Sequence, residues 1–342
     1  MKCHLNTLYV TLDGAFLRKD GAAVEVRHEK ESKLRVPLHN LEGIVCFGWD
    51  ICVSAAFMAA CAEANVALSF HTPHGRFLAS THGCISGNIL LRRAQYRVSD
   101  CEERSVAIAS RMIAAKIANA RTVLQRTCRD NPERSGLLET AILALNVRKA
   151  HPLKVRDLEA LRGIEGDAAG IYFGVFPHLL TKAPRGAFVE GRSRRPPLDP
   201  VNALLSFLYA LLMHDCRSAL EGCGLDPQCG FLHRDRSGRP SLALDLMEEF
   251  RPTLADRLAV SLFNRRQLTE DDFEREETGA VFLREESRKK VLVAWQDRKQ
   301  ETLVHPFLGE KITVGLLPHI QARLLARHLR GDLDAYPGYL SR

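Results

Sequence analysis

Over its first 80 or so residues the chain carries short apolar runs with partial alternation: HLNTLYVTL, AAVEV, KLRVPL and LEGIVCF. They are rich in Val, Leu and Thr, and they are separated by Asp-Gly pairs at 13–14 and 20–21 and by HNLEG. Such spacing predicts strands joined by tight turns. VSAAFMAACAEAN, 53–65, changes to helical spacing and predicts a helix that ends near Asn65. VALSF and RFLAS read as two further strands around HTPHG, with a turn at Pro73–Gly75. Residues 1–85 are therefore expected to form a small β-rich domain with one helix.

After THGCISGN, 81–88, the period changes. From Ile89 onward apolar positions recur with a 3.6-residue period over 89–99, 101–129, 135–148, 154–178, 198–224, 241–263 and 311–330. Only GAVFLREESRKKVLVAW hints at a short hairpin ahead of a helix. The Gly- and Ser-bearing segment 83–88 is the natural boundary, which leaves 86–342 as an α-helical domain. The chain is expected to be α+β and multidomain.

Composition narrows the class. A length of 342 residues suits about two domains, and 46% hydrophobic residues suffice for a real core. The opening MKCHLNTLYV lacks an apolar signal region, and no stretch has the length of a membrane span, so a soluble, cytoplasmic protein is expected. The ten cysteines form no CxxC pair, which suits free thiols in a reducing compartment. Net charge is +7, yet residues 1–88 hold eight basic and eight acidic side chains. The whole excess lies in 89–342, pointing to a phosphate-rich partner for that part.

Charge is densest in KAPRGAFVEGRSRRPPLDPVN, with five Lys/Arg against one Glu over 182–195. Its Gly and Pro exclude a regular helix. It reads as a basic loop entering a helix capped near Asp199, with Pro200 in the first turn. In that helix Asn202, Ser206 and Tyr209 share a polar face.

Two stretches carry candidate chemistry. IEGDAAGIYF, 164–173, places Glu165, Ala168, Ala169 and Tyr172 on one helical face. Its mid-helix glycines cost about 0.5–1 kcal/mol each, which predicts close approach of another backbone. A carboxylate on a small-residue face calls for a cation. GFLHRDRSGRPSLALDLMEEFRP, 230–252, places His233 on a basic turn with Arg234, Arg236 and Arg239, ahead of a helix bearing Asp245, Glu248 and Glu249. Helical spacing lets either glutamate join the aspartate. A rival reading takes His214, Cys216, Cys223, Cys229 and His233 as a zinc cluster in a non-catalytic nucleic-acid-binding scaffold. The cysteine gaps do not fit the usual zinc knuckle.

EGDAAGIYF at 165–173, RPPLDPVNALLSFLYALL at 195–212 and GFLH…SLALDLMEEFRP at 230–252 stand in this order and spacing. Together with TPHGRFLA, GNILLRRAQYR and GEKITVGLLPHIQARLLARHL, they resemble the CRISPR-associated adaptation integrase/endonuclease family, the universal spacer-acquisition integrase of CRISPR systems. The resemblance implies a small N-terminal β-sandwich-like domain followed by a larger all-α catalytic domain. It implies a homodimer joined through the β domains and a small partner adaptation nuclease of ferredoxin-like fold. It implies a Mg²⁺ or Mn²⁺ site held by Glu165, His233 and Glu248, where many relatives have aspartate at the last position. Asp245 matches a second acidic position with a supporting role, and Tyr172, Asn202 and Tyr209 are expected to support the site as well. The reaction implied is strand transfer of spacer DNA into the repeat by a 3′-hydroxyl, or hydrolysis of DNA by water. Arg92, Arg93, Arg97, Arg192, Arg194, Arg195, Arg234 and Arg236 are expected to meet the double-stranded DNA.

Overall fold

The computed structural model describes residues 7–41, 43–64, 66–73, 77–81, 89–182, 187–188, 191–193 and 195–341. The helix end expected at Asn65, residues 74 and 75 of the expected turn, the 83–88 linker and Arg194 lie outside these. The chain divides into two compact units. The first takes the N-terminal elements together with Glu285–Glu301 and Thr313–Leu316; the second takes the rest of the described chain from Ile89 onward.

In the first unit the strands are β1 (Thr7–Val10), β2 (Phe16–Asp20), β3 (Ala23–His28), β4 (Glu31–Pro37), β5 (Gly43–Phe47), β6 (Cys52–Val53), β7 (Ala67–His71) and β8 (Phe77–Thr81), with helix α1 (Ala55–Glu63) before β7. They form two four-stranded sheets, ordered β1-β5-β7-β8 and β4-β3-β2-β6. β5 pairs in parallel on both sides and is buried throughout, as a central parallel strand should be. β2 is not predicted by the sequence pattern. Its FLRKD has one core-facing residue, Leu17, so alternation is too short to read. What makes it a strand is the turn to β3, where Gly21 adopts φ +59°. Val10, Leu17, Val24, Val26, Ile44, Leu68 and Phe57 of α1 share one core, so both sheets and the helix close on the same apolar interior.

The second unit contains α2 (Ile89–Ser99), α3 (Glu102–Asp130), α4 (Ser135–Arg148), α5 (Leu158–Gly174), α6 (Pro200–Gly222), α7 (Ser241–Glu248) and α8 (Arg257–Asn264). Strands β9 (Phe273–Arg275) and β10 (Val281–Leu283) then form the expected hairpin, followed by α9 (Glu285–Gln300), which belongs to the first unit. β11 (Thr302–Val304) pairs with β12 (Lys311–Thr313), and α10 is Leu317–Arg330. The helical part is thus not purely α: it holds two short ladders. The helix predicted over 241–263 is broken by a π-helical turn at Arg251–Asp256. Pro252 has no N–H to give to Glu248, so the regular ladder cannot pass it. The helix predicted from 311 starts at Leu317, because Ile312, Thr313 and Val314 are β-branched and Pro318 suits a first turn. Among the described residues no helix is long and apolar enough to cross a membrane.

Candidate active site

α5 starts where Asp157 accepts the Ala160 N–H at 2.7 Å, and Oε1 of Glu102 accepts the Leu158 N–H at 3.2 Å. From this fixed start Glu165, Ala168, Ala169 and Tyr172 line one narrow cleft together with Lys116, Arg192, Tyr209, Arg251 and Asp256. Its free volume of about 30 Å³ is room for about one water. The small side chains leave the cleft open beside Glu165. Among the described residues the close backbone approach expected at the glycines is not found. A Cβ at Gly166 or Gly170 would meet nothing within 4 Å, and both lie on the exposed side of α5.

His233 sits on a turn held from three sides. On α2, Gln95 donates to the carbonyls of Asp226 (2.8 Å) and Cys229 (2.9 Å), and Ser99 donates to that of Gly230 (2.9 Å). On α5, Arg162 donates to the Leu232 carbonyl at 2.5 Å. On α7, the fully buried Asp245 accepts the N–H groups of Phe231 (2.6 Å), Leu232 (2.9 Å) and His233 (3.0 Å). Its Oδ1 also lies 2.5 Å from His233 Nδ1. An Nδ1–H donating there leaves Nε2 with its lone pair, the arrangement in which a ligating histidine is oriented by a carboxylate. Gly230 is required by packing, since a Cβ would come within 2.8 Å of Ser241 Cβ and 2.9 Å of Asp245 Oδ2.

The two glutamates meet through a lysine. Lys116 of α3 contacts Glu165 Oε1 and stands 2.7 Å from Glu248 Oε2. Arg251 adds a second cation 3.0 Å from Glu248 Oε1. Burial pushes the Glu248 carboxyl up, but Arg251, Lys116 and His233 outweigh it and bring it down to about 2. Glu248 is therefore a stable anion near His233. Lys116 is legible only as a cation among Ile113, Ile117 and Ala120 on the apolar side of α3, and Arg251 as a basic residue three after Glu248. Neither meaning emerges until the helices are packed. Among the described residues no three His, Cys, Asp or Glu side chains close on one point; the ammonium of Lys116 stands between the two carboxylates.

The acidic run on α7 is not a solvated face, because Asp245, Glu248 and Glu249 are all buried. The three residues face different partners. Glu249 turns from the cleft and accepts from Tyr336 Oη (2.6 Å), the Tyr339 N–H (2.7 Å) and Gln321 Nε2 (3.0 Å). Burial pushes its carboxyl up to about 7 against those donors. Glu249→Ala, which the resemblance's choice of Glu248 would offer as a neutral control, would instead take the acceptor from the buried Tyr336 hydroxyl and Tyr339 N–H.

Behind the glutamates, Tyr209 donates to Asp256 at 2.6 Å. Burial raises Asp256 to about 6, against Tyr209, Arg192 and Arg251, which lower it. The guanidinium carbons of Arg192 and Arg251 lie 5.1 and 4.9 Å from the Tyr209 ring centroid. The polar face of α6 explains this: Arg192 donates to Asn202 Oδ1 (2.7 Å) and Ser206 Oγ (3.1 Å). Arg192 thus points into the cleft, unlike the exposed Arg93, Arg97, Arg195 and Arg236. Arg92 is half-buried, and Arg234 pairs with Glu159 while remaining exposed. His214, Cys216, Cys223, Cys229 and His233 do not gather into a metal cluster among the described residues. Burial also raises the thiols of Cys223 and Cys229 to about 11, which disfavours thiolate ligands.

Fold and cleft together define a class: a mixed α/β protein whose N-terminal sheets precede a larger helical part carrying paired glutamates, a carboxylate-held histidine and a basic surround. Residues 8–297 match the family model described as CRISPR associated protein Cas1, and the chain belongs to that family. It is 51% identical over 346 residues to the CRISPR-associated endonuclease Cas1 1 of Chlorobaculum tepidum, covering 100% of both chains. Its fold resembles a chain of a Cas6-RT-Cas1–Cas2 complex, with TM-score 0.85 and 22% identity, covering 100% of this chain and 37% of that one. It also resembles a casposase bound to integration product, with TM-score 0.83 and 23% identity, covering 98% and 94%.

Proposed function

We propose that the protein is a metal-dependent DNA endonuclease and integrase that inserts spacer DNA into the CRISPR repeat array. The observation that carries this reading is the convergence of Glu165 and Glu248 on one positive charge beside a histidine aligned by Asp245. The donor set of two carboxylates and one imidazole fits a hard divalent ion, so Glu165, His233 and Glu248 would hold Mg²⁺ or Mn²⁺. Such an ion, when bound, polarises a phosphate oxygen and offsets charge during in-line displacement. The chain's own groups do the rest. Asp245 fixes the His233 ring, Arg251 keeps Glu248 ionised, and Tyr209 and Asn202 hold Arg192 at the cleft beside Tyr172. A DNA 3′-hydroxyl as nucleophile gives strand transfer; water gives hydrolysis.

The endonuclease name of the 51%-identical relative supports the nuclease half of the reading. The integration product on the casposase supports this fold as one that carries out strand transfer. In the same reading the two-sheet unit is a sandwich-like dimerisation module, and the protein works as a homodimer with a small adaptation nuclease of ferredoxin-like fold. The Cas2 named in the structurally similar complex supports such a partner.

The test is half-site integration of a labelled duplex into repeat DNA, with Mn²⁺ and with or without the small partner. Joined product is expected, and it should vanish in Glu165→Ala and His233→Ala. Joining that survives either change would refute the assignment. Stoichiometric zinc retained through dialysis, without joining, would favour a scaffold.

A further inference from the structure

We infer that the segment following α10 is a positioning clamp: through Glu249 and Asn119 it sets Glu248 against Lys116, and strand transfer depends on its being docked. This rests on the reading of Glu248 as a metal ligand.

After α10 the chain turns at Gly331, with φ +86°, and runs back without regular structure. This irregular segment is nonetheless deeply anchored. Tyr336 and Tyr339 are 0% and 3% exposed. Their partners converge on two residues beside the cleft. The Glu249 carboxylate takes the Tyr336 hydroxyl at 2.6 Å and the Tyr339 N–H at 2.7 Å. Asn119 donates to the carbonyls of Glu249 (2.8 Å) and Tyr339 (2.9 Å) and accepts from the Ser341 N–H (2.7 Å). Gln321 of α10 closes the network, donating to Glu249, to Tyr336 at 2.8 Å and to the Pro337 carbonyl at 2.9 Å. Gly338 is pressed against α3 so tightly that a Cβ would reach within 2.7 Å of the Arg111 carbonyl oxygen.

The placement of these anchors carries the inference. Glu249 is the residue after Glu248, and Asn119 lies one helical turn from Lys116 on α3. The segment therefore ties together the two backbones whose side chains meet at 2.7 Å in the cleft. A buried network bonded at this many points admits few alternative geometries. A segment that only sealed the core would have no need to bond both the carboxylate of the residue next to a ligand and the asparagine that holds that residue's carbonyl.

The test uses full-length Tyr336→Phe, which removes one hydroxyl and keeps the ring, and Asn119→Ala. Mn²⁺ affinity is measured by electron paramagnetic resonance, and strand transfer by kcat and KM for DNA, well below the melting temperature. Both variants should bind Mn²⁺ about tenfold more weakly and lose about tenfold or more in kcat, with KM for DNA unchanged. Lower melting temperature with wild-type Mn²⁺ affinity and kcat would overturn the inference, because a seal would do that. Should Asn119→Ala not fold, Tyr336→Phe decides alone. Glu248→Ala serves as reference: undiminished Mn²⁺ binding there would mean that the ligand assignment had failed, and the clamp's role with it.

Discussion

Asp245 binds three consecutive backbone amides and the imidazole of His233, so one side chain fixes both the turn and the ring it presents. Asp245→Ala should strand those buried donors, lowering stability by about 1–3 kcal/mol or more and abolishing strand transfer. Gly230→Ala should reproduce the defect from the other side by forcing the turn off the carboxylate, at about 1–3 kcal/mol. Urea unfolding and the integration assay check both; a Gly230→Ala protein with wild-type activity would show that the turn tolerates displacement. Asp256 offers a pH test. Its folded carboxyl titrates near 6 rather than the ordinary 3.8, mainly because it is buried, so the folded chain holds this proton more tightly than the unfolded one. The neutral form therefore contributes stability below pH 3.8 that is lost as pH rises toward about 6. Asp256→Asn cannot ionise. Relative to wild type it should gain on the order of 2–3 kcal/mol between pH 4 and pH 7, read from unfolding midpoints. A difference flat with pH would show that Tyr209, Arg192 and Arg251 cancel the burial. Glu165, His233 and Glu248 stand out as candidates because each lies in a motif of the family resemblance. Asp256 could not: between Ala255 and Arg257 it has no pattern, and its meaning comes from Tyr209, 47 residues away.

Helical periods transfer from sequence to structure where packing agrees with them, as in α2, α3 and α4, and fail where proline or β-branching intervenes, as at Pro252 and Ile312. α5 shows a subtler limit. Its glycines suggest a close neighbour, and among the described residues there is none. Gly166→Ala and Gly170→Ala should each stabilise the protein by about 0.5–1 kcal/mol, since alanine fits the helix and the space is open. If the bare face serves DNA, the same variants should bind duplex more weakly while melting higher. Calorimetry with a DNA titration separates the cases: a stabilised variant with unchanged affinity would leave the glycines without a DNA role. The sequence could announce that α5 is unusually bare, but not what lies opposite it.

At the scale of the molecule, charge and connectivity pull against a simple division of labour. All of the +7 excess falls after residue 88, which suits assembly by the N-terminal part and DNA contact by the remainder. Yet α9 belongs with the N-terminal sheets, and Lys299 near its end lies 3.5 Å from the Thr7 hydroxyl. No local pattern could reveal that return, because an amphipathic helix specifies an apolar face without naming what covers it. Removing residues 1–87 alone would therefore take away the sheets and leave α9 behind with Val291, Leu292 and Trp295, all buried in the intact chain. That fragment should bind a hydrophobic dye and aggregate. Replacing Val291, Leu292 and Trp295 by polar residues in the same fragment should restore solubility and leave duplex binding intact. The rescued fragment should join single DNA ends at most, because two-ended insertion needs two sites held at a fixed separation, which the proposed dimer would supply. Sedimentation should then show the fragment as a monomer and the full-length chain as a dimer. A soluble, dimeric 88–342 fragment that inserted both ends would place the assembly surface in the helical part instead.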